Sequence, residues 1–133
     1  MRIAISRGLV EQIVALGAAS RDEVCGLLFG QAGRIDAFLP AANVAPDPAR
    51  HFDLDPAALI AAHRAARAGG PQIVGHYHSH PSGIAVPSKT DAASAAPDGS
   101  LWLIVAAGGA RLWVAGPGEG DGAGFTEAML DIR

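Results

Sequence analysis

Residues 72–91 read QIVGHYHSHPSGIAVPSKTD, and the way this stretch folds organises the rest of the chain around it. Gln72 to Ser79 follows Gly69-Gly70-Pro71, carries Ile73, Val74 and Tyr77, and reads as a strand. Alternate side chains of a strand share a face, so His76, His78 and His80 point the same way. Pro81 to Pro87, with Gly83 inside it, is a loop. Ser88 is a good N-cap for a short helix over Lys89 to Ala96. That helix brings Asp91 back in its first turn, where a carboxylate is also favourable beside the helix dipole.

Upstream, Asp55 as N-cap and Pro56 at the first helical position open a helix through AALIAAHRAARA that stops at Gly69-Gly70. Before it, Pro40 to Arg50 holds three prolines and is a loop, and His51 to Leu54 is a short strand. Val24 to Gly30 (VCGLLFG) is a continuous apolar run bounded by charge and glycine, hence a buried strand. Gly33 permits a turn into a returning strand over Arg34 to Leu39. Nearer the start, Gly8 to Ala19 sets Leu9, Ile13, Val14 and Leu16 on one helical face, and Arg2 to Ser6 is a first strand. Downstream, Leu101 to Ala107 and Arg111 to Ala115 form a hairpin across Gly108-Gly109. Glycine-rich Pro117 to Gly124 is flexible, and Phe125 to Ile132 is a last strand or short helix. The order predicts an α/β (mixed) domain over residues 1–133, one curved mixed sheet with helices packed on it.

Bulk composition narrows the function. A chain of 133 residues, half of it apolar and 17% charged, builds one core and is not a disordered chain. The net charge is -3, and a single lysine stands among ten scattered basic residues, so no basic stripe exists for nucleic acid. No apolar run is long enough to span a membrane. Glu11 and Gln12 interrupt the apolar N-terminal stretch, which lacks the core of a signal peptide. Cys25 is the one cysteine, so no intrachain disulfide forms, which fits a cytoplasmic protein.

The histidines and Asp91 carry the chemistry. Two imidazoles on one strand face can converge on one ion, and Asp91, returning after the loop, can add a carboxylate oxygen. Two nitrogens and one oxygen suit tetrahedral Zn²⁺, and three protein ligands leave the fourth position for water, the catalytic arrangement. With five histidines and nine aspartates in the chain, H-x-H-x10-D should arise by chance roughly 0.01 times. Pro81 and Ser88 lower that further, so coincidence is a poor explanation.

The string His78-Ser79-His80-Pro81, followed by Ser88-x-x-Asp91, resembles the JAMM motif of the MPN+ metalloprotease family. Glu23, in EVCGLLFG, resembles that family's glutamate-bearing strand, and the stretch around Asn43, Phe52 and Pro56 is similar to the bacterial stand-alone members. The resemblance implies an MPN fold, a curved sheet flanked by helices and similar to cytidine deaminases. It implies one Zn²⁺ per chain held by His78, His80 and Asp91. Glu23 would hold the bound water and act as general base, and Ser88 would steady the tetrahedral intermediate. The implied activity is cleavage of a peptide or isopeptide bond at the C-terminal tail of a ubiquitin-like or sulfur-carrier protein, by a monomer or homodimer. Such a tail would lie along a sheet edge near the zinc, with loops Pro40 to Arg50 and Pro81 to Pro87 as channel walls. Family members acting on ubiquitin often have an aromatic residue where His76 stands. Here His76 is a donor to a ligand, an extra ligand, or only a neighbour.

Other readings compete. Ser88 can serve as a helix cap alone, and Glu23 can be a solvated residue before a strand. Cys25 inside an apolar strand reads as inert packing. His63 reads as solvent-facing, His51 has no visible partner, and Trp102 and Trp113 read as core residues or a hairpin pair. A catalytically inactive scaffold on the same fold would lack ligands, and none is missing. A zinc deaminase would need a P-C-x-x-C segment, which a single cysteine excludes. A zinc hydrolase of small amides is the remaining alternative.

Overall fold

A computed structural model of the protein describes residues 1–118 and 123–133. The elements run β1 (Arg2–Ile5), α1 (Arg7–Ala18), β2 (Cys25–Gln31), β3 (Arg34–Ala41), α2 (Pro56–Arg67), β4 (Ile73–Ser79), α3 (Lys89–Ser94), β5 (Leu101–Ala106), β6 (Gly109–Pro117) and β7 (Ala123–Ile132). The strands pair in the order β1-β3-β2-β4-β5-β6-β7, and β1 also pairs with β7, so the curved mixed sheet closes on itself. The pairs β1/β3, β1/β7 and β4/β5 are parallel, and the remaining neighbours are antiparallel. A parallel neighbour needs a crossover, and α3 lies on the one that joins β4 to β5.

The sheet registers sort side chains into two faces. Tyr77, Leu103, Leu112 and Ala128 stand opposite one another across β4, β5, β6 and β7. This row forms one apolar cluster with Leu9, Val10 and Ile13 of α1 and with Ile3, Ile5, Leu28 and Ile35. Each fully buried Leu or Ile side chain contributes about 1.5–3 kcal/mol. The other face carries the row Leu27, His76, Trp102, Trp113, Glu127 and the row Cys25, His78, Ile104, Arg111. Here the fold places its polar chemistry.

The α1 face differs in detail from the pattern in the sequence. Leu9, Val10, Ile13 and Gly17 are buried, while Leu16 is 38% exposed. Gly17 takes the inward position because a Cβ there would stand 3.0 Å from Val105 and 3.1 Å from Ser79. Ser6 caps the helix by accepting from the Leu9 N–H. The strand expected at 51–54 is reduced to a single bridge, Asn43 to Leu54. The Asn43 side chain takes over the pairing there: its Oδ1 accepts from Ala45 and Asp53, and its Nδ2 donates to Glu23 O and His51 O. Helix α3 ends at Ser94, short of Ala96, because Pro97 disfavours helical backbone before it. Strand β3 runs through Pro40, which is tolerated because β1 pairs with β3 only at Arg34 and Ile35. The hairpin turn falls at residues 107–108, with Gly109 at φ 119° as the first residue of β6. Residues 123–132 form a strand. Of the segment expected to be flexible, residues 119–122 lie outside the described residues.

Gly26 is one of the strand positions where the sheet permits no side chain. It stands opposite Tyr77, and a Cβ would run into the Leu39 carbonyl and the Tyr77 ring. Gly26→Ala therefore overpacks the centre of β2 and is expected to destabilise the fold by about 1–3 kcal/mol. Denaturant unfolding checks this; an unchanged midpoint and slope would contradict the packing described.

Candidate metal centre

The antiparallel register of β2 and β4 builds the site. Cys25 stands opposite His78 and Leu27 opposite His76. The same register continued by two residues carries Glu23 to the position opposite His80. Beyond the strand ends the pairing persists: the Ser79 N–H donates to Val24 O at 3.0 Å, and the Val24 N–H donates to Ser79 Oγ at 2.9 Å. The backbone of Glu23 is held on its other side by Pro48 O, which accepts from its N–H at 2.7 Å, and by Asn43 Nδ2, which donates to its carbonyl at 2.9 Å. Glu23 is therefore buried, at 6% exposure, and is not a solvated residue before a strand.

Three atoms converge. The Nε2 atoms of His78 and His80 lie 3.0 Å apart, and each lies 3.2 Å from Asp91 Oδ2. A carboxylate oxygen of Glu23 lies within 4.8 Å of donor nitrogens on both imidazoles. Tetrahedral zinc with bonds of 2.0–2.1 Å has ligand-to-ligand edges of roughly 3.3 Å. The triangle of two nitrogens and one oxygen fits that geometry, and its donors are the type zinc accepts.

Each member is held from behind. His80 Nδ1 lies 2.7 Å from the Ile84 carbonyl, which can only accept, so the proton sits on Nδ1 and the Nε2 lone pair faces the cluster. Asp91 Oδ2 accepts from the Ser88 N–H at 2.9 Å, and Ser88 Oγ accepts from the Asp91 N–H at 3.0 Å, a reciprocal capping box. Ser88 is thus the N-cap of α3, and its own O–H remains available to donate. His78 is fully buried and lies under Phe52, whose ring stacks on it at 4.2 Å between centroids and 19° between planes. His78 Nδ1 and Glu23 Oε1 are buried with no hydrogen-bond partner among the described residues.

Burial pushes the Glu23 carboxyl up to about 7, with the neighbouring His80 opposing and Asp91 adding to the rise. Burial also depresses the His78 imidazole against the pull of Asp91. His80 is less enclosed, and Asp91, the Ile84 carbonyl and Glu23 outweigh burial and raise it. For Asp91, burial is overcome by the two imidazoles and the Ser88 N–H, which hold its carboxyl far below the usual range. His76 shares the strand face but stays out of the cluster. Its ring lies edge-on to Trp102 at 4.3 Å, its Nε2 is buried without a partner among the described residues, and burial pushes it down to about 3, so it is neutral. Burial, then Glu23 and Asp53, push the Cys25 thiol up to about 11, in keeping with inert packing. His63 and His51 are exposed, and Trp102 stands directly opposite Trp113 across the hairpin.

A cleft of about 240 Å³ opens on the cluster, lined by Glu23, His80, Ser88, Ala49, Arg50, Pro81, Ser82 and Gly83. The two loops read as channel walls therefore both border it. Sequence reasoning attached no role to the Asn43 side chain, to the Phe52 ring or to the Ile84 carbonyl. The first two carried a signal, a lone amide in the proline-rich loop and a lone aromatic just after it; a backbone carbonyl carries none.

Known proteins resemble this chain in sequence and in fold. A family model described as prokaryotic homologs of the JAB domain matches residues 6–116. The desampylase of Haloferax volcanii is 40% identical over 84 residues, covering 62% of this chain and 60% of that protein. A probable TtuB-protein conjugate cleaving protease of Thermus thermophilus is 37% identical over 89 residues, covering 65% and 59%. The chain thus spans about three fifths of the length of these two relatives. In fold it is similar to the crystal structure of a JAB1/MPN domain protein from Archaeoglobus fulgidus, at a TM-score of 0.61 and 20% identity, over 99% of this chain and 98% of that one. With the family match running from α1 to the end of β6 and the fold agreeing along the whole chain, the protein belongs to the prokaryotic branch of the JAB (JAMM/MPN) family.

Proposed function

We propose that the protein is a zinc-dependent isopeptidase that hydrolyses an amide bond at the C-terminal tail of a ubiquitin-like or sulfur-carrier protein, with one Zn²⁺ held by His78, His80 and Asp91. The observation that carries this reading is the triangle of His78 Nε2, His80 Nε2 and Asp91 Oδ2, with edges of 3.0–3.2 Å, beside a buried carboxylate at the mouth of a cleft. Zinc held by these three residues would supply Lewis acidity, making water acidic enough to react near neutral pH. Glu23 takes a proton from the attacking water at a carboxylate oxygen as the water oxygen bonds to the carbonyl carbon, and returns it to the amine nitrogen as the C–N bond breaks. Before a metal is bound, burial raises its carboxyl to about 7, the direction that favours proton uptake. Ser88 holds Asp91 through the capping box and directs its free O–H toward the oxygen that becomes negative.

The substrate class is supported by the relatives, one named for desampylation and one for cleaving TtuB-protein conjugates. It is also supported by the cleft. Its walls come from two loops, and Gly83, Ala49 and Ser82 leave room for a narrow, extended tail. Among the described residues, strand β3 beyond Ile35 has a neighbour only in β2, so Ala37 to Ala41 is an open edge ending beside Cys25, two residues from Glu23.

Metal analysis of the purified protein is expected to give about one zinc per chain and none in His78→Ala/His80→Ala. Glu23→Gln keeps its zinc and loses at least about 10²-fold in cleavage of an amide-linked conjugate of a ubiquitin-like protein. A wild type that takes up no zinc, or a Glu23→Gln variant that cleaves normally, would overturn the reading. Ser88 has two duties that substitution separates. Glycine caps a helix within a few tenths of a kcal/mol of serine, so Ser88→Gly is expected to keep wild-type stability and still lose roughly 10²-fold in rate. An unimpaired rate in that variant would leave Ser88 as a cap alone.

A further inference from the structure

The weak point of the metal centre is the loop behind His80. Residues 81–84 are exposed, and the Ile84 side chain is 70% exposed. Yet the Ile84 carbonyl fixes which nitrogen of His80 carries the proton. Within the loop the hydrogen bonds are short-range: Gly83 N–H donates to His80 O at 3.3 Å, and Val86 N–H donates to Ile84 O at 2.8 Å. Among the described residues, a single hydrogen bond reaches positions 81–87 from outside residues 80–88. It is donated by Trp113 Nε1 to Ala85 O at 3.0 Å. Successive carbonyls of the loop thus have separate partners: Ile84 C=O meets the metal ligand, and Ala85 C=O meets the barrel.

Trp113 is itself held in place. It stands opposite Trp102 on β5 and opposite Glu127 on β7. The Arg111 guanidinium lies over its ring at 4.9 Å from the centroid and donates in a fork to both carboxylate oxygens of Glu127, at 2.7 Å each. The pair is exposed and adds little by charge alone. Its fork holds the cation over the indole, which keeps the Nε1–H on the loop.

We propose that Trp113 is a positioning residue for the metal centre. Its indole N–H orients the 84–86 backbone, so that the Ile84 carbonyl holds His80 with Nδ1 protonated and the Nε2 lone pair turned to the ion. This inference rests on the zinc reading above. Outer partners of metal-ligating histidines commonly contribute 10- to 100-fold to metal affinity. Trp113 acts one step further back, through the backbone, which puts its effect at the low end of that range.

Two measurements test it, neither of them activity. Competition with a chelating dye compares the zinc affinity of the full chain with that of Trp113→Phe, which keeps a ring and removes the donor. About a 10-fold loss is expected, with thermal unfolding of the metal-free variant showing that it folds. The second uses the wild type alone. Coupling between two sites is reciprocal, so adding zinc should slow hydrogen exchange of the Trp113 indole N–H by about the same factor, with Trp102 as the internal reference. A folded Trp113→Phe protein that binds zinc within about 2-fold of wild type, or an indole N–H whose exchange ignores zinc, overturns this proposal and leaves the metal reading standing. A wild type that takes up no zinc overturns both.

Discussion

The antiparallel register between β2 and β4 is the constraint on which the rest of the site depends. It pairs Cys25 with His78 and carries Glu23 to the place opposite His80. A slip of one residue would send His76, His78 and His80 to the face that packs against α1, and the buried apolar row through Tyr77 to the site. The register is therefore fixed twice, by the apolar cluster on one face and by the polar cluster on the other. Gly26 tightens it further, because the Tyr77 ring fills the space a side chain would take. Asp91 reaches the cluster by different means. It comes from a six-residue helix after an exposed loop, and the capping box with Ser88 sets its carboxylate.

What converges on that register is electrostatically demanding. A carboxylate, two imidazoles and a second carboxylate are gathered where Glu23, His78 and Asp91 are all buried. Burial disfavours charge on Glu23 and on His78, while Asp91 stays ionised by leaning on both imidazoles. Two buried atoms, His78 Nδ1 and Glu23 Oε1, find no partner among the described residues. Such a site contributes little to stability for its size, and the apolar cluster around α1 offsets it. Groups gathered at this expense are more readily understood as parts for chemistry than as parts of a core.

Much of this was legible in the sequence, for physical reasons that differ from element to element. The strand at 24–30 announced itself because a continuous apolar run bounded by charge and glycine has few other ways to fold, and that at 72–79 because Ile73, Val74 and Tyr77 follow the stop at Gly69-Gly70-Pro71. The spacing of His78, His80 and Asp91 was readable because a strand and a capped helix have fixed periods. The Asn43–Leu54 region was misread because one side-chain amide replaces a ladder of backbone hydrogen bonds, and local propensity does not register that. Leu16 was misplaced because Gly17 occupies the inward position, where the closeness of Val105 and Ser79 outweighs hydrophobicity. The closure of the sheet through β1 and β7 was invisible, since it pairs the two ends of the chain. The chain of contacts from Glu127 through Arg111 and Trp113 to the loop behind His80 exists only once the hairpin has folded.

In the proposed site, two imidazoles and one carboxylate of this cluster hold the metal, and neither His76 nor Cys25 joins them. X-ray absorption at the zinc edge on the zinc-loaded protein tests it most directly. A four-coordinate shell of nitrogen and oxygen at about 2.0–2.1 Å is expected, with scattering from two imidazoles. A sulfur at about 2.3 Å would bring in Cys25, and a third imidazole would bring in His76; either would contradict the site described.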